Sequence, residues 1–322
     1  MSQELTTPPQ PDLPPRPNLL EGEKGFSSLL GQFFIVPLII AVTAVAIFVG
    51  IKMMTSDEKD AVRLVKEIQM EHGSSRWQIA YDLNSRLIRD PQARKDPRLV
   101  PEIIKAFQSI EPRTEDDRLT RMYLVTVLGT LADPGSLPLI LNAMQDQDGR
   151  VQVAAIQSAG ALGDPAVVAE LLAFAAADDA GLRKAAVFAL GCFAPRRRAA
   201  SQLAELPSAQ TAEIHEAIRK CHADRVTDVR WNAALALSRF DDAEAAPTLL
   251  QMLDREHLEK VAKEPGTEMT EEMVSEVMVN AMKGAMQLKG AEFKSVLEKI
   301  RKQDRSMDVR QAAGEVLQAL SN

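Results

Sequence analysis

Residues 148–165 read DGRVQVAAIQSAGALGDP, and the fold of the chain follows from how this stretch is read. An acid opens it, apolar residues then recur at three-to-four spacing, and Gly163-Asp164-Pro165 stops it, which is the signature of one amphipathic helix with both ends marked. The pattern returns as Arg183-Lys184-Ala185-Ala186-Val187-Phe188-Ala189-Leu190-Gly191 and as Asp228-Val229-Arg230-Trp231-Asn232-Ala233-Ala234-Leu235. It closes the chain as Asp308-Val309-Arg310-Gln311-Ala312-Ala313. Arg150, Arg183, Arg230 and Arg310 fall 33, 47 and 80 residues apart, the last gap being about two repeats long. A period of this length marks a stack of helix pairs, an all-α solenoid, and not a compact globule.

Each part of the repeat has a structural reading. The acids Asp148, Asp228 and Asp308 stand where an N-cap accepts orphan amide protons and suits the positive end of the helix dipole. An arginine two positions later reaches the matching acid of the adjacent repeat, so that such pairs form a ladder along the stack. Small Ala-Ala steps let helices approach closely, while Leu and Val fill the seam. The Gly-Asp-Pro ending halts one helix and orders the turn into the next.

Reading outward from this template predicts seven helix pairs: 59–71 with 75–89, 100–109 with 117–131, 136–145 with 150–162, 166–176 with 182–193, 211–223 with 229–240, 244–253 with 270–288, and 291–302 with 308–320. The sixth pair carries an insertion, residues 255–269, expected to emerge as a loop of the kind that often carries partner contacts.

The Asp-x-Arg-x-x-Ala-Ala opening and the Ala-Leu-Gly-x-Leu-Gly-Asp-Pro ending resemble the HEAT repeat family, and more narrowly its bilin-lyase-like bacterial variant. The resemblance is specific from about residue 115 to 240 and over the last fifteen residues. It implies a solenoid whose second helices line a concave face that holds a protein partner. A bilin-lyase-like enzyme or cofactor carrier is the alternative it leaves open, which colour or bound metal in the purified protein would reveal.

Composition restricts the chemistry. The net charge is −7, with acids and bases intermixed, which opposes nucleic-acid binding because that task needs a concentrated positive surface. Pro195-Arg196-Arg197-Arg198 is the dense basic run and reads as a solvated helix-end loop. His72, His215, His222 and His257 are too scattered for a metal motif; His215 and His222 lie seven apart, whereas two ligands on one helix chelate at i and i+4. The di-iron deoxyhypusine hydroxylases display several His-Glu pairs on successive helices, and His215-Glu216 is the one such pair here. No phosphate-cradling glycine loop and no nucleophile elbow occurs. Cys192 and Cys221 are placed at opposite ends of antiparallel helices and are expected to be unbonded. The expectation is a protein with no catalytic residue, no cofactor and no metal.

At the N-terminus, residues 33–51 read FFIVPLIIAVTAVAIFVGI without a charge. At about 1.5 Å per residue they span roughly 28 Å, close to the ~30 Å core of a bilayer, so residues 31–53 are expected to form a transmembrane helix running from Phe33 to Ile51. Pro37 lies about one turn from its start, where the missing amide donor does little harm. Ala46 and Gly50 form a small-xxx-small pair that suits helix pairing. The leader before the span, residues 1–30, is acidic and proline-rich and reads as a disordered tail, which argues against a cleaved signal peptide. Lys24 precedes the span, whereas Lys52, Lys59, Arg63 and Lys66 follow it. Counted this way the solenoid of residues 54–322 falls on the cytoplasmic side, the extracytoplasmic side being the alternative. The functional expectation is a non-enzymatic, single-pass membrane scaffold that presents a repeat groove to a membrane-associated protein partner. An assembly factor for a membrane complex is a further alternative, differing in whether association is transient.

Overall fold

The computed structural model describes residues 36–55, 60–200, 203, 205–264, 267 and 269–321, and the chain divides into two units at Lys59 and Asp60. In the first unit helix α1 runs Val36–Thr55. Leu38, Ile39 and Ile40, three consecutive positions and therefore three different faces, are all exposed, and Phe48 is 67% exposed. Side chains of α1 are described from Leu38 to Gly50, and among the described residues no helix is long and apolar enough to cross a membrane. Ala46 and Gly50 lie in that stretch; Pro37 and Ile51 are on α1 with side chains outside it, and Phe33 and the 1–30 tail lie outside the described residues.

The second unit is helical, with no strand among the described residues. In chain order its helices are α2 Ala61–Met70 and α3 Ser74–Arg89, α4 Leu99–Ser109 and α5 Glu115–Leu131, α6 Leu137–Ala143 and α7 Gly149–Leu162, and α8 Val168–Ala175 and α9 Ala180–Leu190. After the short α10 Pro195–Ala200 come α11 Ser208–His222 and α12 Thr227–Arg239, then α13 Ala246–Met252, the inserted α14 Arg255–Val261 and α15 Glu271–Leu288, and finally α16 Glu292–Gln303 and α17 Met307–Ala319. The second helices α3, α5, α7, α9, α12, α15 and α17 pack each on the next as one continuous layer. Each first helix packs on its own partner as the other layer.

Residue size sets this arrangement. Leu83, Leu87, Leu124, Leu128, Ile156, Leu190 and Leu237 are fully buried, filling the seam that the three-to-four spacing predicts. Within the second-helix layer the contacts are made by small residues. Gly129, Gly160 and Gly191 stand 31 residues apart, and a Cβ on each would lie 2.5 Å from Ser158 Oγ, 2.6 Å from Ala189 Cα and 2.9 Å from Ala236 Cβ.

Helix ends are held by side chains. Asp133, Asp164 and Asp242 each accept the amide two residues on, at 2.7, 2.8 and 3.0 Å, and hold the short 3-10 turn that feeds the next first helix. At the start of α5 Thr114 and Asp117 form a reciprocal capping box. Thr114→Ala is therefore expected to cost about 1 kcal/mol in urea unfolding. An unchanged midpoint would show that the first turn of α5 is held by packing alone.

Two expectations are corrected. The 255–269 insertion is not simply a loop: its first half is α14, whose Leu258 and Val261 are buried because they face α13 and α15. The basic run is not solvated throughout either. Arg198 is 2% exposed, its Nη1 donates to Gly163 O at 2.8 Å, and its guanidinium stands over the Phe193 ring.

Candidate functional site

The side chains that position the candidate site are guanidinium groups on the second helices. Arg183 on α9 bonds Asp224 through Nε at 2.7 Å and Nη2 at 3.0 Å, and its Nη1 donates to Ala177 O and Asp178 O at 2.9 and 2.7 Å. Arg121 on α5 does the same two repeats earlier, reaching Asp146 at 2.6 Å and the carbonyls of Phe107 and Ile110 at 3.3 and 3.1 Å. One guanidinium thus satisfies orphan carbonyls of a first helix and its following turn while crossing to the next repeat. The receiving carboxylates are positioned too, since Asp146, Asp224 and Asp304 each accept the amide two residues ahead at 2.9, 2.8 and 2.9 Å. Bonding from Arg183 holds the Asp224 carboxyl below the ordinary carboxylate range.

The rungs built on Arg121 and Arg183 therefore use acids upstream of those chosen from the sequence, while Asp148 and Asp228 also cross between repeats, to Arg118 at 3.6 Å and to Lys184 at 3.1 Å. Asp148 caps α7 through Arg150 N at 2.9 Å, and Arg150 reaches back to Glu115 on α5 at 3.0 Å. Asp228 lies in the first turn of α12 and pairs with Lys184 at 3.1 Å, while Asp308 lies in the first turn of α17, whose cap is Ser306. Arg230 and Arg310 donate to carbonyls of their own turns, Asp224 O at 2.8 Å and Asp304 O at 2.6 Å. A sequence signal for the rung acid exists: Asp146, Asp224 and Asp304 each stand six residues before Gln152, Arg230 and Arg310. Ala177 holds that place before Arg183. Gln152, the neutral counterpart in α7, donates to Met144 O at 2.8 Å.

The sixth pair departs from the rule in a way that shapes the site. Counting from the C-terminal end of the helix, as for Arg121 and Gln152, puts Met278 at the arginine position of α15, and Met278 is buried. Arg255 of the inserted α14 supplies the guanidinium in its place, bonding Asp304 through Nε and Nη2, both at 2.8 Å, and Glu271 at 2.8 Å. The Glu271 carboxyl, bonded chiefly by Arg305 and also faced by Arg255, is held below its ordinary range. Fastened this way, α14 sets the direction of the chain that follows it.

That chain walls a groove between α12 and α15 with a volume of about 560 Å³, within the range of roughly 300–1,000 Å³ usual for binding pockets. Trp231, Leu235 and Met252 line it from α12 and α13, Met273 and Val277 from α15, and Met269 from the insertion. Thr270 caps α15 by accepting the Met273 amide, which fixes Met273 in the first turn with its side chain 44% exposed. Asp228, Glu264, Glu276, Asn232 and Asn280 contribute polar groups. Unbranched methionines around a buried indole make a lining that adapts to apolar side chains of different shape.

His215, His222 and the two cysteines are otherwise engaged. His215 Nε2 stands 2.8 Å from Asp242 Oδ2, which also accepts from Arg219 at 2.7 Å. Burial opposes ionisation of Asp242, yet the bonds from Arg219, the Glu244 amide and His215 outweigh it and lower its pKa. His222 meets Thr248 Oγ1 at 2.8 Å, and burial lowers its pKa. Both cysteines are buried and free, and burial pushes the Cys221 thiol up to about 11. Among the described residues no group of three His, Cys, Asp or Glu side chains is placed to hold a metal ion. The groove methionines were not singled out in the sequence, nor was the cluster in which Tyr123 on α5 stacks on Trp77 at 6.1 Å and meets Tyr81 edge-on at 5.6 Å, both from α3.

The profile of the HEAT repeats matches residues 110–191 and 193–264. This part of the array is built of HEAT repeats. No curated protein matches the chain. Among solved structures, human deoxyhypusine hydroxylase in complex with glycerol is 13% identical with a TM-score of 0.35, over 81% of this chain and 97% of that one. The complex of CpcE and CpcF of phycocyanin lyase from a Nostoc species is 19% identical with a TM-score of 0.46, over 81% and 94%. An archaeal HEAT-like repeats protein from Thermococcus onnurineus is 14% identical with a TM-score of 0.34, over 81% and 97%.

Proposed function

We propose that this chain is a non-enzymatic, membrane-anchored scaffold that holds a protein partner in the groove between α12 and α15. The observation that carries this reading is the insertion. A helix pair closes without it, yet α14 is buried at Leu258 and Val261 and fastened by Arg255 to Asp304, and the residues after it wall a groove on the second helices with an apolar floor and polar sides. HEAT repeats offer such surfaces pre-formed, so that many modest contacts add without an ordering cost. Anchoring is supported by the uncharged run from Phe33 to Ile51 and by the apolar side chains exposed on α1, since a helix apolar all round suits a protein core or a lipid environment. Confinement to a membrane raises the effective concentration of a partner at the same surface. The bases Lys52, Lys59, Arg63 and Lys66 favour the cytoplasmic side for the repeats.

Two measurements test this. Full-length protein is expected in the membrane fraction after alkaline carbonate washing and a chain lacking residues 31–53 in the supernatant; full-length protein in the supernatant overturns the anchor. A photocrosslinking residue at Asn232 or Asn280 in cells is expected to give a discrete protein adduct, with none from Glu298 on the outer face of α16. Equal adducts from all three positions would overturn the groove as the partner site.

A further inference from the structure

We infer that the partner segment is a basic amphipathic helix, an inference that rests on the groove being the partner site. The argument is charge complementarity over an apolar floor. Beyond α15 a second trough of about 580 Å³, reaching Asp308, shares Glu276 and Asn280 with the first, so α15 is the ridge between the two. Glu264, Glu276 and Asp308 have no ion-pair partner among the described residues. Among the bases beside them Lys184 pairs with Asp228 at 3.1 Å and Arg305 with Glu259 at 2.8 Å and with Glu271, while Lys283 meets the neutral Asn280 Oδ1 at 3.2 Å; across the two troughs the carboxylates Asp228, Glu264, Glu271, Glu272, Glu276 and Asp308 outnumber Lys184, Arg225, Lys283 and Arg305. Arg225, the remaining base of the first trough, lies beside Asp224. The surface thus offers carboxylates to an incoming chain and repels an acidic one.

The rows of α15 offer a bound helix a matching register. Met273 and Val277 are one turn apart on α15, and Glu276 and Asn280 are one turn apart on the neighbouring row. A helix laid along α15 would put apolar side chains at i and i+4 between α12 and α15, over Trp231 and Leu235, and Lys or Arg from its flank over Glu276 and Glu264. The methionine lining accepts leucine, phenylalanine or methionine anchors alike, so recognition rests on the apolar face and the sign of its flanks.

The test uses full-length protein in zwitterionic lipid nanodiscs, with empty discs as the blank, and an 18-residue Leu/Lys amphipathic peptide bearing a benzophenone on its apolar face. Benzophenone reacts readily with methionine, and Met70 and Met307, 75% and 72% exposed, are built-in controls more accessible than Met273. Adducts are expected at Met269 or Met273 at fivefold or more the yield at Met70 and Met307, falling severalfold when salt is raised tenfold. A Leu/Glu peptide with the same apolar face is expected to give less than one fifth of that yield, and the double variant E264K/E276K, altering two side chains outside the core, is expected to reverse the preference. Equal groove adducts from both peptides overturn the basic class and leave the groove standing. Yields that track exposure overturn both.

Discussion

Gly160→Val is expected to destabilise the repeat array by roughly 3 kcal/mol, or to prevent its folding, the upper range of overpacking effects. Any Cβ at this position would lie 2.6 Å from Ala189 Cα and 3.0 Å from Ala189 O. Those are backbone atoms, so no rotamer change relieves the contact, and α7 and α9 must separate along their length with loss of the dispersion contacts that join them. The control is Gly149→Ala at the first position of the same helix, where a Cβ meets nothing within 4 Å, so the change is expected to be neutral or slightly stabilising. Urea unfolding followed by circular dichroism checks both. A Gly160→Val protein as stable as the parent would show that the second-helix layer is not held at the close approach seen here.

Arg183→Met is expected to cost about 3 kcal/mol or more, in the range found when one member of a buried ion pair is removed. Arg183 is 7% exposed and satisfies one carboxylate and two carbonyls, so truncation leaves Asp224 and both carbonyls short of partners in low dielectric. Arg183→Met with Asp224→Asn is expected to lose less than the sum of the two single changes, because the second substitution removes the stranded charge. Arg150→Met is the contrast, since its pair with Glu115 is solvent-exposed and is expected to matter much less. The pH dependence follows from the lowered pKa of Asp224. Its folded pKa lies below its unfolded value of about 3.9, so its contribution is fully present above that value. It declines as the unfolded state takes up the proton and is gone once the pH has fallen through the folded pKa. The Arg183→Met protein should therefore lose less additional stability than the parent between neutrality and strongly acid pH; parallel curves would show that Asp224 draws its ionisation preference from elsewhere.

Both predictions act on one layer, and the groove depends on that layer. Trp231 and Leu235 are presented by α12, whose approach to α9 is set at Gly191 and whose leading turn is held by the Arg183–Asp224 pair. A change that loosens either is expected to weaken partner binding without touching the groove.

The small-residue steps were legible along the chain because they are local and periodic. Ala185-Ala186 and Ala233-Ala234 declare close helix approach without any knowledge of what is approached, whereas the glycines at 129, 160 and 191 stood out once the structure showed what faces them. The rung acids were less legible. Asp148, Asp228 and Asp308 lie nearest the repeated arginines in the sequence, but the helix turns them toward a cap, toward Lys184 or into a first turn, while Asp146, Asp224 and Asp304 sit in the preceding turns. The side chain that meets Asp304 comes from Arg255, 49 residues away and outside the repeat pattern.

By itself the sequence determined the class, the helix pairing and the small Ala-Ala steps, because amphipathic spacing, helix stops and local composition are properties of the chain itself. Only the tertiary structure decided which carboxylate each arginine meets, that the insertion folds as a helix tied by Arg255, and that Trp231, Met269 and Met273 line one groove. Those outcomes depend on the distance and angle between helices that are far apart in the chain, and such relations are fixed by packing and not by the period of any one segment.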